Sequence, residues 1–232
     1  MGGLGILHRY CSIDDQVDMA HEQSAAAVGI TGDYLERVDT LKKFGVKIFC
    51  LDVAHGHHKL MKDALQKLRD KHGDSITIIA GNVATSQGYA DLSEWGADAV
   101  RIGIGGGSIC STRIQTGHGV PTFQSVLDCR DVDGATIIAD GGIRTAGDIV
   151  KSLAAGADFV MLGSMLAGTS ESPGQVFYGE NGQYKSYRGM ASVEAQIDWR
   201  GHTSSVEGVA SSVAAKGPVS HSIEDLVKGL RS

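Results

Sequence analysis

A recurring phrase governs what this chain can become: a short apolar run, a glycine-rich turn, then a polar stretch with helical spacing. The apolar runs are Leu4–Leu7, Ala26–Ile30, Val46–Val53, Ile76–Ala80, Ala99–Ile104, Ala135–Ala139 and Phe159–Leu162. Helical patterns cover Tyr34–Phe44, Lys59–Lys71, Ser86–Trp95, Thr122–Cys129 and Thr145–Ala155. Strands that alternate with helices make βαβ units and a parallel sheet. Three helices end in the related phrases KFGVKIF, EWGADAV and AAGADFV. Their glycines, Gly45, Gly96 and Gly156, suit a left-handed position just past a helix. This repeat of the whole unit favours a closed (β/α)8 TIM barrel over a doubly wound sheet. A closed barrel takes eight strands. Seven are counted, so the expected fold is an α/β barrel shortened to seven strands, a single domain over residues 1–232.

From about Ser170 to Pro218 the alternation stops and Gly, Ser and Glu accumulate around the island YKSYRGMASVEAQ. A loop that long inside a compact domain is usually a functional lid or disordered, so residues 170–218 are read as an active-site loop or flap. An amphipathic helix, Ile223–Leu230, closes the chain.

Composition narrows the function classes. The 232 residues include 32 glycines, about twice the usual share, and three prolines. Without a short repeat period, that points to tight turns and close backbone approaches to a ligand. The formal charge of −6 offers no electrostatic footprint for nucleic acid or an anionic membrane. No apolar run reaches the length of a membrane span. The four cysteines, Cys11, Cys50, Cys110 and Cys129, have no zinc or disulfide-framework spacing. They read as reduced thiols of a cytoplasmic protein.

The strongest chemical signal is RIGIGGGSICSTRIQTGHGVP, Arg101 to Pro121. Glycines at the C-terminal end of a strand let backbone N–H groups face an anion. That is also the end where functional residues of barrels gather. Cys110 in such a loop is either a nucleophile with a stabilised thiolate or a passive residue of a strand-end turn. The second signal is IIADGGIRTAGDIVKSLAAGADFVMLGSMLAG, Ile137 to Gly168. Gly141 with Gly142, and Gly163 with Ser164, form successive turns after late strands, the common phosphate site of a barrel. Asp140 is placed to accept from ribose hydroxyls, or to cap a helix. A third signal is CLDVAHGHHK, Cys50 to Lys59. Asp52 at a strand end suits the ribose of a second ligand. His55, His57 and His58 lack the spacing that completes a metal site and also read as polar loop residues. Asn82 sits at the next strand end, as a ligand contact or a turn former. No P-loop, GxSxG or HExxH pattern is present, and GIGGGS does not meet the dinucleotide fingerprint.

Taken together, LGILHRY, DVAHGHH, IIAGNVAT, GIGGGSICSTR, IIADGGIR, GDIVKSLAAGADFVMLGSMLAGTSESPG and YRGMAS resemble the IMP dehydrogenase/GMP reductase family, in family order over nearly the whole chain. The resemblance implies that Cys110 is a nucleophile toward C2 of a purine nucleotide, with Thr112 its neighbour in catalysis. It implies that Ser108, Gly141, Gly142, Gly163, Ser164 and Tyr187 hold a 5′-phosphate and that Asp140 holds the ribose. Gly189 and Met190 would face the purine, and Asp52, Asn82 and Arg101 would border a nicotinamide cofactor. The carbonyls of Gly105, Gly107 and Cys110 would bind K⁺, and the chain would assemble as a homotetramer. A dehydrogenase of this family carries an Arg-Tyr pair in its flap. The stretch VEAQIDWRGHTSSVEGVASSVAAKGPV has none but has Glu207, a candidate proton donor to ammonia. The expected activity is therefore NADPH-dependent reduction of GMP to IMP. The alternatives are an NAD-dependent IMP dehydrogenase, an inactive nucleotide-binding remnant, and a flavin-dependent phosphate-binding barrel.

Two departures from the family pattern stand out. Where the family reads GPGS, Gly105–Ser108 reads GGGS, so Gly106 lacks the stiffening of a proline. The family's first barrel strand and its C-terminal tail have no counterpart, and the chain is expected to be a fragment.

Overall fold

The computed structural model describes residues 2–21, 23–180, 182–203 and 206–231. The elements begin with β1 (Ile6–Leu7), α1 (Ile13–Met19), β2 (Ala25–Val28), α2 (Tyr34–Lys43), β3 (Ile48–Asp52) and α3 (Lys59–His72). They continue with β4 (Thr77–Val83), α4 (Ser86–Glu94), β5 (Ala99–Ile102), α5 (Thr112–Thr116), α6 (Thr122–Cys129), β6 (Thr136–Asp140), α7 (Ala146–Ala154) and β7 (Phe159–Met161). Last come β8 (Val176–Gly179), β9 (Gly182–Arg188), α8 (Val193–Arg200), β10 (Ala210–Ala214) and α9 (Val219–Arg231). β1 to β7 form one sheet in sequence order. That is the strand order of a (β/α)8 barrel with seven of its strands, as the alternation predicts. The three repeat glycines have φ of 92° (Gly45), 110° (Gly96) and 115° (Gly156), each just past a helix.

The chain divides into two compact units. The first comprises Gly2–Ile102 and Gln124–Ile138. Its strands β1 to β5 pair in parallel, with Phe49 opposite Ile78, Asp52 opposite Gly81, and Gly81 opposite Arg101. Strands of a parallel sheet are covered on both faces and so read as unbroken apolar runs. Accordingly Val28, Phe49, Leu51, Ile78, Ala80, Val100 and Ile102 are fully buried. The helices add one stripe each at spacings of three and four: Val38 and Leu41, then Met61, Leu65 and Leu68. The short helix α1 follows Ser12, whose side chain accepts from Asp15 N–H while the Asp15 carboxylate accepts from Ser12 N–H.

The second unit comprises Gly103–Phe123 and the chain from Ala139 onward. Ile143, Ile149 and Leu226 pack together here with Ala146, Val160, Leu162 and Met165 against them. The stretch 170–218, read from sequence as a loop, carries regular structure. β8, β9 and β10 form an antiparallel sheet in the order β10-β9-β8, and α8 follows the N-cap Ser192. These strands escaped the reading because β8 is exposed throughout and β10 nearly so. An exposed antiparallel ribbon needs no apolar run. Its one local signal is Asn181-Gly182, a hairpin dipeptide, although Asn181 lies outside the described residues.

Candidate active site

The cysteine loop begins where β5 ends. A Cβ on Gly103 would lie 2.0 Å from the Asp140 carbonyl oxygen, and its φ is 141°. Only glycine allows the chain to leave in this direction, flush against the end of β6. Ile104 and Val120 close the base of the loop through an antiparallel bridge. Thr122 Oγ1 donates to Asp140 O at 3.4 Å. At Gly106 a Cβ would meet Thr122 Oγ1 at 2.6 Å.

A cavity of about 240 Å³ opens beside this loop, lined entirely from the second unit. Each residue expected to hold phosphate, ribose or purine lines it: Ser108, Asp140, Gly141, Gly142, Gly163, Ser164, Tyr187, Gly189 and Met190. Cys110 and Glu207 line it as well. Gly141 and Gly142 both have positive φ, 99° and 84°, a backbone shape that turns successive N–H groups toward an anion. Just before helix α7, which follows, the Asp148 carboxylate accepts from Arg144 N–H at 3.0 Å and Thr145 N–H at 3.1 Å.

Three side chains from two segments meet at one corner of the cavity. Thr112 Oγ1 lies 3.2 Å from Cys110 Sγ and donates to Glu207 Oε2 at 2.7 Å. With the hydroxyl proton committed to the carboxylate, the threonine oxygen accepts from the thiol. A proton can thus travel from Sγ to Glu207 by way of Thr112. The backbone sets this geometry. Ser111 N donates to Glu207 O at 2.8 Å and Val209 N to Ile109 O at 3.1 Å, so Cys110 and Gly208 face each other across a bridge. Gly208 cannot carry a side chain without change, since a Cβ would meet Ser192 N at 3.0 Å. Sequence reading missed Gly208, together with Ile109, Ile143, Met161 and Ala191, which complete the lining. The apolar ones carry no local chemical signal.

The matches to known proteins agree with this geometry. The profile of the IMP dehydrogenase / GMP reductase domain matches residues 1–232. The chain belongs to that family. It is 44% identical over 222 residues to the inosine-5'-monophosphate dehydrogenase of Nitrosopumilus maritimus (strain SCM1), covering 89% of this chain and 46% of that one. To the protein of the same name from Bacillus subtilis (strain 168) it is 45% identical over 218 residues, covering 89% and 44%. Its structure is similar, at a TM-score of 0.85 and 43% identity, to a cysteine-to-alanine variant of GMP reductase from Trypanosoma brucei in complex with guanosine 5'-monophosphate. That match covers 90% of this chain and 45% of the other. The chain thus spans less than half the length of these relatives.

The residues expected to border a nicotinamide lie in the first unit of this family member. Arg101 Nη1 donates to Asp52 Oδ1 at 2.6 Å, and Arg9 Nε is 3.9 Å from Asp52 Oδ2. The second carboxylate oxygen therefore keeps acceptor capacity for a diol. The loop after β3 folds back on β4, with Gly56 N donating to Asn82 O at 2.7 Å and Asn82 N to Val53 O at 2.9 Å. The nearby histidines have structural partners, the rings of His55 and His57 meeting edge-on with centroids 6.4 Å apart. His58 accepts from Leu60 N–H at 3.1 Å and caps α3. His57 Nε2 lies 2.7 Å from Asp91 Oδ2, and this bond, with a second from Gln87, holds the Asp91 carboxyl below its ordinary range. Among the described residues, no three His, Cys, Asp or Glu side chains gather to hold a metal.

Proposed function

We propose that the cavity binds a purine nucleoside monophosphate and that Cys110 attacks C2 of its base in an oxidoreductase reaction. The observation that carries this reading is the Cys110–Thr112–Glu207 chain of contacts at 3.2 and 2.7 Å. Attack by Sγ on C2 forms a covalent thioimidate and divides one difficult substitution into two easier ones. The turns at Gly141–Gly142 and Gly163–Ser164, with Ser108 and Tyr187, hold the phosphate, and the Asp140 carboxylate accepts from the ribose hydroxyls.

The favoured reaction is reductive deamination of GMP. Sγ bonds to C2, the 2-amino group leaves as ammonia with a proton relayed from Glu207, and the thiolate departs when hydride reaches C2, giving IMP. A nicotinamide cofactor would supply that hydride as NADPH in a reductase, or accept one from C2 as NAD⁺ in a dehydrogenase, and Asp52, Asn82 and Arg101 are the residues that would hold it. Glu207 suits the reductase because it reaches Cys110 through a single hydroxyl. Backbone carbonyls are the donors a monovalent cation takes. Gly105, Gly107 and Cys110 would offer theirs to K⁺, with Gly107 O also accepting from Cys110 N at 3.2 Å. The second reading is IMP dehydrogenase, the name borne by the curated relatives at 44% and 45% identity. Against it stands the lack of an Arg-Tyr pair in the flap stretch, residues 193–219.

The test is nicotinamide absorbance in two mixtures, GMP with NADPH and IMP with NAD⁺ plus K⁺. Loss of signal with GMP, abolished in Cys110→Ala, is the expected result. A gain with IMP makes the chain a dehydrogenase and removes the reductase reading. Silence in both, from folded chain that still binds IMP, leaves a nucleotide-binding remnant.

A further inference from the structure

Lys185 lies on β9 with only 5% of its surface exposed. Its ammonium donates to Thr169 O at 2.8 Å, to Ser172 O at closer range, and stands 3.5 Å from Ser170 O. Among the described residues no carboxylate pairs with it. Taking a lysine charge out of water is costly unless it is fully compensated. Here the compensation consists of backbone carbonyl dipoles alone. The converse matters more. Three carbonyl oxygens that converge on one point repel each other, so a cation among them stabilises this conformation of Thr169–Ser172, which backbone bonds from Ser170 N to Gly217 O and from Ser172 N to Thr169 O, both at 3.2 Å, also support.

That segment is tied to the phosphate end of the cavity on one side. Leu166 N donates to Gly163 O at 3.0 Å, Ala167 N to Ser164 O at 3.3 Å and Thr169 N to Leu166 O at 3.1 Å, an unbroken run of tight turns from Gly163 to Thr169. The other side is Lys185 itself. Tyr187 stands two residues further along β9, on the same face of the strand, and lines the cavity. One buried ammonium therefore joins the Gly163–Ser164 turn to the strand that presents Tyr187.

We propose that Lys185 is a positioning residue for nucleotide phosphate. Its charge locks the two halves of the phosphate subsite at a fixed separation, without touching the ligand. This rests on the reading of the cavity given under Proposed function. The lysine acts as a covalently tethered monovalent cation, so small amines should replace it when its side chain is cut back.

Isothermal titration of IMP and of inosine separates the outcomes, because only IMP carries the phosphate. Wild-type chain is expected to bind IMP far more tightly than inosine; no difference between the two would remove the phosphate-site reading itself. In Lys185→Met, IMP affinity is expected to fall about tenfold or more, the loss of one charge-assisted hydrogen bond to phosphate, while inosine binding stays within about twofold. Methylamine or ammonium should restore part of the IMP affinity to Lys185→Ala and none to Lys185→Met, whose side chain fills the space. Equal weakening of IMP and inosine, or an unchanged IMP affinity, would overturn the proposal. Should Lys185→Met not fold, the comparison passes to Lys185→Gln, whose amide can donate to two of the carbonyls without the charge. Failure of both to fold makes Lys185 a determinant of the fold and also overturns it.

Discussion

At the scale of single residues, the proposed chemistry depends on one proton being in the right place. The Thr112 hydroxyl has one hydrogen, and at 2.7 Å it belongs to Glu207. Thr112→Val keeps the shape and breaks the relay; Glu207→Gln keeps the hydrogen-bonding site and removes the proton acceptor. Both are expected to lower kcat by about 10²- to 10⁴-fold, the usual worth of a positioned acid or base. IMP affinity in a titration should change little, because neither side chain is assigned to the phosphate or the ribose. A large loss of affinity with kcat intact would assign Glu207 to binding instead. Cys110 and its glycines are legible from sequence because a strand, a glycine run and a cysteine stand side by side. Glu207 is named from the flap stretch, but its contact with Thr112 is not legible, since 95 residues separate the two and the bridge between Cys110 and Gly208 brings them together. The remaining thiols play another part. Burial pushes the Cys129 thiol up to about 11 and raises that of Cys11 as well, so neither offers a thiolate near neutral pH.

At the scale of elements, legibility followed burial. β2 to β5 were readable because a strand covered on both faces must be apolar throughout, and α2, α3 and α4 because their apolar stripes return every third or fourth residue. β8 to β10 were not, because residues that face water carry no such constraint. Helix α7, read from its helical pattern, also carries a cap. Thr145 and Asp148 form a reciprocal box in which each side chain accepts from the other's backbone N–H, so Thr145→Ala should cost about 1 kcal/mol in chemical denaturation. The box also titrates. Backbone N–H donation from Arg144, then the Thr145 hydroxyl, hold the Asp148 carboxyl below its ordinary range. A group whose folded pKa is lowered contributes its full stability above the unfolded value and loses it as pH falls through the folded one. Asp148→Asn should therefore cost stability at neutral pH and progressively less as pH drops below the ordinary aspartate range. A cost that stays constant through that range would show that the box acts without the charge.

At the scale of the whole molecule, the two units are unequally built. The first buries four consecutive strands almost completely, with β2 closed to solvent along its entire length. The second, which carries the whole cavity, packs around Ile143, Ile149 and Leu226, and all of β8 is exposed. Local opening costs least where few apolar groups are buried and backbone hydrogen bonds face water. Amide hydrogen exchange should thus be slowest in β2 to β5 and fastest in β8 to β10. This asymmetry gives the ligand leverage. A nucleotide at about a hundred times its Kd stabilises what it binds by about 2.7 kcal/mol, and the cavity is lined by the second unit alone. If the unit opens by itself, saturating IMP should slow exchange at the amides of β9, β10 and the Ser108–Ser111 loop and leave β2 to β4 at their unliganded rates. Uniform slowing across both units would mean that they open together.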